Sequence, residues 1–271
     1  MRSTSGGAAT TLGADLLETL VAATRYTTEA RARTTPLDRL ERQARRRPKG
    51  QAFMDALRLS PAPRIIAECK RRSPSRGILR KDYDPAAHAA GYASAGAAAI
   101  SVLTEPTFFD GSLDHLAQVR LAVEVPLLRK DFIVTEYQLV EAVVFGADAV
   151  LLIVGALEDH ELRTLSARAS ELGLAALVEV HDVAELTRAV DAGADIIGVN
   201  SRNLRTLTVD RGVLEQVAAA IPAGATAVAE SGIRTGEDIA RLSSAGYSAF
   251  LVGERLITEP DPGAALRALR T

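Results

Sequence analysis

Six short apolar runs in this 271-residue chain end in groups that can move protons or hold anions: Glu68-Cys69-Lys70, Arg129-Lys130-Asp131, Glu179, Asn200-Ser201-Arg202, Glu230-Ser231-Gly232 and Gly253-Glu254. Carboxylates beside ammonium groups equip a site for general acid–base chemistry and for binding anionic substrates. Of 32 basic residues only Lys49, Lys70, Lys81 and Lys130 are lysines, the rest arginines. Codon bias explains most of that excess. A chain drifting to arginine nonetheless keeps lysine where a compact ammonium with an adjustable pKa is required, and Lys70 and Lys130 both stand at run ends.

These residues need elements that bring them together. From residue 64 onward, apolar runs of strand length alternate with stretches of helical length, at 64–69, 98–103, 126–129, 149–153, 175–179, 196–200, 226–230 and 249–252. Continuous hydrophobicity of this kind marks parallel strands buried on both faces. A weak repeat supports the count, because Gly96-Ala-Ala, Gly146-Ala-Asp, Gly193-Ala-Asp and Gly246-Tyr-Ser recur at spacings of 50, 47 and 53. Each reads as a helix-ending glycine, a tight turn and then a strand. Four periods of two βα units predict an α/β fold, a single (β/α)8 TIM barrel over 64–271; an open doubly wound sheet alternates in the same way. Residues 1–13 are expected to be disordered. Residues 14–63 are expected to form a helical extension over the barrel mouth, with helices at 14–33 and 36–47 and a linker at 45–49.

In such a barrel the active site lies at the C-terminal strand ends, where the six polar groups fall. Strand side chains alternate, so Glu68 and Lys70 share a face and Cys69 takes the other. Cys69 therefore reads as structural. The turns Ser231-Gly232-Ile233 and Gly253-Glu254 follow strands 7 and 8, where barrels commonly build phosphate sites from backbone N–H groups. His88, His115, His160 and His181 fall in separate segments without metal-ligand spacing, and His181 is expected in an exposed loop. There is no Walker loop, no GxGxxG after the first strand and no serine elbow. No cofactor and no metal are expected.

The bulk properties agree. Apolar residues make up 47% and aromatics 4%, which suits an interior of Val, Ile, Leu and Ala. A net charge of −2 gives no case for nucleic acid or an anionic membrane as partner. The most apolar stretch, 143–157, is broken by Gly146, Asp148 and Gly155 and is too short to span a bilayer. A single cysteine and an N-terminus without an apolar core predict a cytoplasmic protein.

The segments Ala67-Glu-Cys-Lys-Arg-Arg-Ser-Pro-Ser75, Leu128-Arg-Lys-Asp-Phe-Ile-Val134, Leu177-Val-Glu-Val-His-Asp182, Gly198-Val-Asn-Ser-Arg-Asn-Leu204 and Ala229-Glu-Ser-Gly-Ile233 resemble the indole-3-glycerol phosphate synthase family, in order and spacing, from about Asp15 to the C-terminus. The resemblance implies a carboxy-lyase of tryptophan biosynthesis. Its substrate is 1-(2-carboxyphenylamino)-1-deoxyribulose 5-phosphate, closed to an indole with loss of CO2 and water. It implies Lys130 as general acid, a role that suits lysine because burial and neighbours can lower its pKa, and Glu179 as general base. Glu68, Lys70, Asn200 and Glu230 would hold and polarise the substrate, with Lys70 and Arg202 suited to its carboxylate and phosphate. Ser231, Gly232, Gly253 and Glu254 match the phosphate loops, joined by Ser73, and the Glu254 carboxylate should point away from the anion. Phe109, Phe132, Leu151 and Leu204 would wall the aromatic ring. A monomer or weak homo-oligomer is expected. The alternatives are another phosphate-binding barrel, such as phosphoribosylanthranilate isomerase, whose chemistry uses a Cys and Asp pair, or an inactive barrel scaffold.

Overall fold

The computed structural model describes residues 15–270, so the expectation of disorder over residues 1–13 lies outside the described residues. Three helices come first: α1 (Leu16–Thr34), α2 (Leu37–Gln43) and α3 (Gly50–Leu59). The strands β1 (Arg64–Cys69), β2 (Ala99–Leu103), β3 (Leu127–Lys130), β4 (Ala149–Ile153), β5 (Ala175–Val180), β6 (Ile196–Asn200), β7 (Thr226–Glu230) and β8 (Ala249–Val252) follow. They pair in parallel in chain order, and β8 closes onto β1. This is the expected (β/α)8 barrel, and five strands begin and end where the sequence places them.

The outer layer contains α4 (Pro85–Ser94), α5 (Leu113–Ala122), α6 (Glu136–Val144), α7 (Asp159–Glu171), α8 (Val183–Asp191), α9 (Gly212–Ala218), α10 (Gly236–Ser244) and, after a short α11 (Glu254–Ile257), α12 (Pro262–Leu269). Among the described residues no helix is long and apolar enough to cross a membrane. The repeated glycines do what their spacing predicts. Gly96, Gly146, Gly193 and Gly246 all have positive φ, from 79° to 107°. The following residue in each case, for example Ala147 N–H to Ala142 O at 2.9 Å, bonds back across the helix end. That is a Schellman stop, which turns the chain directly into the next strand.

Alternation along the strands sorts the core into two layers. Ile65, Ala67, Cys69, Ile100, Val102, Val178 and Val180 join the helices in the outer layer. Ile66, Leu128, Leu151, Leu177, Val228 and Leu251 fill the barrel interior. Cys69 thus packs against the helix layer, opposite to Glu68, as the alternation requires.

Of the three leading helices, α1 begins beside the mouth, where Leu17 and Leu20 join an apolar cluster with Phe132, Ile153 and Leu204. It then runs down α6, to which Arg31 Nε is tied through Glu141 Oε1 at 2.6 Å. The helix α3, absent from the sequence reading, closes the other end. Gly50 N–H bonds to Gly173 O at 3.0 Å, and Phe53 and Leu57 enter the interior cluster fully buried. The expected helix over 36–47 stops at Gln43. Arg46 leaves helical geometry to reach Ala147 O and the buried carboxylate of Asp148, a tertiary contact that overrides local propensity.

Candidate active site

The inward-facing register delivers the chemistry. On β1, Glu68 follows Ile66 on the same face; on β3, Lys130 follows Leu128; on β5, Glu179 follows Leu177; on β7, Glu230 follows Val228. Each is the last or next-to-last residue of its strand, so an apolar interior ends in a ring of charge. All sixteen residues named from the sequence line one cavity of about 630 Å³ at this mouth.

Lys130 is the centre of the charged ring. Its Nζ lies 3.2 Å from Glu179 Oε2 and 3.7 Å from Glu230 Oε2. Burial works against the ammonium, but the carboxylates of Glu179, Glu230 and Glu68 outweigh it and hold Lys130 above the ordinary lysine range. The adjustability that suits lysine to this role thus works upward at Lys130, because opposite charges at short range beat desolvation. Burial likewise favours neutral Glu179, yet Lys130, with His181 and Asn200 adding to it, keeps that carboxyl well below its usual range. Glu230 goes the other way. Burial first, then the charge of Glu179, push it well above the usual carboxylate range, and Lys130 offsets this only in part. The two neighbouring carboxyls are thus shifted in opposite directions, Glu179 down and Glu230 up. Across the mouth Lys70 Nζ pairs with Glu68 Oε1.

Two glycines make room for these carboxylates. A Cβ at Gly198 would collide with Glu230 Oε1, and one at Gly253 would collide with Glu68 Oε1. A glycine inside an apolar strand signals such a close approach, and Gly198 carried that signal in the sequence.

The other half of the cavity suits an anion. Ser231 and Gly232 both have left-handed backbone, with φ of 66° and 73°, so the chain after β7 turns sharply at the cavity wall. Arg202 is anchored by its Nη1–H to Leu207 O at 3.0 Å and lies within reach of Ser75 Oγ at 3.4 Å. The Glu254 carboxylate is held by Arg76 from the loop after β1, so it has a cation of its own. Opposite this half, Phe109 and Phe132 face each other with ring centroids 6.4 Å apart. Phe109 is placed by Glu105, whose carboxylate accepts from Thr107, Phe108 and Phe109 N–H at 2.7–3.1 Å.

Glu105, Arg76 and Ser75 line the cavity and were not singled out in the sequence. Glu105 was legible only as a residue two positions past a strand, with nothing to show that it would cap a turn. His181 is a correction: it is not an exposed loop residue but a mostly buried one, paired with Glu179 and Glu185.

Similarity to known proteins agrees with this geometry. A family model described as indole-3-glycerol phosphate synthase matches residues 17–269. An indole-3-glycerol phosphate synthase of Beutenbergia cavernae is 48% identical over 254 residues, 94% of each chain. Indole-3-glycerol phosphate synthase 1 of Streptomyces coelicolor is 52% identical over 241 residues, 89% of each chain. Among solved structures, 3-hexulose-6-phosphate synthase superposes with a TM-score of 0.59 at 15% identity, over 76% of this chain and 98% of its own. Thiamine phosphate pyrophosphorylase from Pyrococcus furiosus superposes with a TM-score of 0.58 at 18% identity, over 76% of this chain and 93% of its own, and these two likenesses concern the barrel alone. With a family match across nearly its whole length and relatives near half identity, the chain belongs to the indole-3-glycerol phosphate synthase family, carboxy-lyases of tryptophan biosynthesis.

Proposed function

We propose that the cavity binds 1-(2-carboxyphenylamino)-1-deoxyribulose 5-phosphate and converts it to indole-3-glycerol phosphate with the residues that form its ring of charge. The observation that carries this assignment is the cluster of Lys130, Glu179 and Glu230, which sets one ammonium between two buried carboxyl groups shifted in opposite directions.

The aromatic carbon bearing the carboxylate attacks the ribulose carbonyl, and the carbonyl oxygen becomes an alkoxide. Lys130 stays protonated in the free site, so its proton is in place when that oxygen becomes the stronger base. Departure of CO2 restores the aromatic ring. The new hydroxyl, protonated by one of the two ammonium groups, then leaves as water, while Glu179 takes the proton from the adjacent carbon. Glu68, Asn200 and Glu230 orient the sugar hydroxyls, and Lys70 faces the substrate carboxylate. Arg202, Ser73, Ser231 and the backbone N–H groups at Gly232, Gly253 and Glu254 receive the phosphate. Phe109, Phe132, Leu151 and Leu204 hold the aromatic ring, an apolar surface matched to an apolar group.

An isomerase working through Cys69 is disfavoured, because that thiol is fully buried in the helix layer and burial pushes its pKa up. An inactive scaffold is disfavoured by the complete set of charged groups at the mouth. The single cysteine suits a reducing cytoplasm, where we place the enzyme, acting as a monomer or weak homo-oligomer.

The test is turnover of the purified protein on this substrate, read by indole fluorescence. The chain has no Trp, which keeps the background low. Growth of the signal, greatly slowed in Lys130→Ala, is the expected result. A flat trace from folded protein, with turnover of phosphoribosylanthranilate instead, would move the assignment to the isomerase.

A further inference from the structure

Behind Glu179, on the side away from Lys130, stands His181, just past the end of β5. Its side chain is only 15% exposed. Its Nδ1 lies 3.0 Å from Glu185 Oε2, and the same oxygen accepts the His181 backbone N–H at 2.8 Å. Glu185 is itself fixed in the first turn of α8, where its N–H donates to Asp182 Oδ1 at 2.8 Å. Its other oxygen lies over Gly155, where a Cβ would come within 2.8 Å. On the far side of the ring, Nε2 faces Glu179 Oε1 at 3.4 Å. Neither of those two atoms makes a hydrogen bond among the described residues, so each is the other's charged neighbour and has no competing partner.

We propose that His181 is a positioning residue: gripped by Glu185, it fixes the Glu179 carboxylate from behind, so that Oε2 is presented to Lys130 and to the cavity. The inference rests on Glu179 being the base and adds what holds it. A carboxylate on a strand end is otherwise free to turn about its last torsion. Here one oxygen is claimed by Lys130 at 3.2 Å and the other faces the imidazole. The charges fit. Burial disfavours the imidazolium, but the bonds to Glu179 and Glu185 outweigh it and raise His181 to about 10. The groups that set this balance are Glu179 on β5, with Lys130 on β3 and Glu230 on β7 beyond it, and Glu185 on α8. Loss of the cation leaves Lys130 alone to keep Glu179 ionised, with Glu230 beside it as a competing site for the proton.

Two measurements on the full chain test this. The first needs no turnover: NMR titration of the His181 ring should show an imidazolium persisting well above the ordinary histidine value of about 6.5, and Glu185→Gln should bring the titration down. A His181 ring that titrates at the ordinary value overturns the clamp, whatever substrate the enzyme takes. The second is kinetic. In His181→Ala, kcat should fall roughly ten-fold or more while KM stays within about two-fold, and the acid limb of the kcat profile should move to higher pH. In His181→Gln, which keeps an N–H toward Glu179, part of the loss should be recovered. Unchanged kcat and an unmoved acid limb in a folded His181→Ala overturn the proposal. If that variant does not fold, Glu185→Gln decides: a shifted acid limb supports the clamp and an unshifted one refutes it. Absence of turnover in the wild type would count against the substrate assignment and leave the NMR titration to decide the clamp.

Discussion

At the mouth of the barrel, Lys130, Glu179 and Glu230 are buried against one another with part of their hydrogen-bonding capacity unmet. At the opposite end, Asp148 is equally buried but saturated: Oδ1 accepts from Arg46 and from Lys49 N–H, and Oδ2 from Arg120 and from Leu127 N–H. Phe53 and Leu57 of α3 seal the interior beside it. Both ends desolvate charge, and the difference lies in what completes it. At the closed end both Asp148 oxygens are satisfied internally, which stabilises a fold. The mouth leaves Glu230 Oε1 without a hydrogen-bond partner among the described residues, which leaves a demand that a bound substrate can meet. Incomplete satisfaction of buried polar groups is destabilising, so the mouth trades stability for chemistry and the closed end makes good the loss.

The sharpest way to break this comparison is to exchange the phenotypes of the two ends. Lys130→Ala should lower kcat by roughly 10²- to 10⁴-fold while circular dichroism and the thermal midpoint stay near those of the wild type. Near-normal turnover would remove Lys130 as the acid. Asp148→Ala should do the reverse. It strands two arginines and two backbone N–H groups in a buried setting, at a cost of about 3–5 kcal/mol in denaturant unfolding, with kcat per folded molecule retained. Leu57→Ala should also act on stability alone, by about 2–5 kcal/mol through the cavity it opens. A loss of kcat in folded Asp148→Ala or Leu57→Ala would show that the two ends are coupled.

Titration sharpens the same contrast. The folded-state pKa of His181, about 10, lies above its unfolded value of about 6.5. Its contribution to stability is therefore fully present below about pH 6.5 and is lost as pH rises through about 10. Unfolding free energy measured across that window should decline in the wild type and decline less in His181→Gln. An identical slope in the two proteins would mean that the buried imidazole carries no charge.

The uneven legibility of the sequence follows the same division. Strand positions, the inward face of Glu68 and Lys70 and the outward face of Cys69 were readable, because burial on both faces and two-residue alternation leave local marks. The four glycine stops were readable for the same reason. What failed depended on distant partners. The helix of residues 36–47 ends early because Arg46 is drawn to Asp148, and α3 is a short helix whose partners are the bases of several strands. The direction of the Lys130 shift depends on three carboxylates from β1, β5 and β7 converging on one ammonium. His181 is the exception, since its partners are local, Glu179 two residues before it and Glu185 four after; what the sequence did not show is that the turn from β5 into α8 folds the ring between them.

The smallest expected effect concerns the anion half of the mouth. Arg76 pairs with Glu254 from a position that is 59% exposed, so removing it should change stability by less than about 1 kcal/mol. Its consequence for binding follows from what it leaves behind. Without Arg76, the Glu254 carboxylate has lost its cation beside the pocket proposed for phosphate, and like charges there oppose binding. Arg76→Ala should therefore raise KM by about two- to five-fold, the equivalent of less than about 1 kcal/mol, with kcat little changed. Glu254→Gln should have almost no effect alone, and adding it to Arg76→Ala should bring KM back towards the wild-type value. If the double variant is as weak as Arg76→Ala, then Arg76 contacts the phosphate directly, and its grip on Glu254 is incidental to binding.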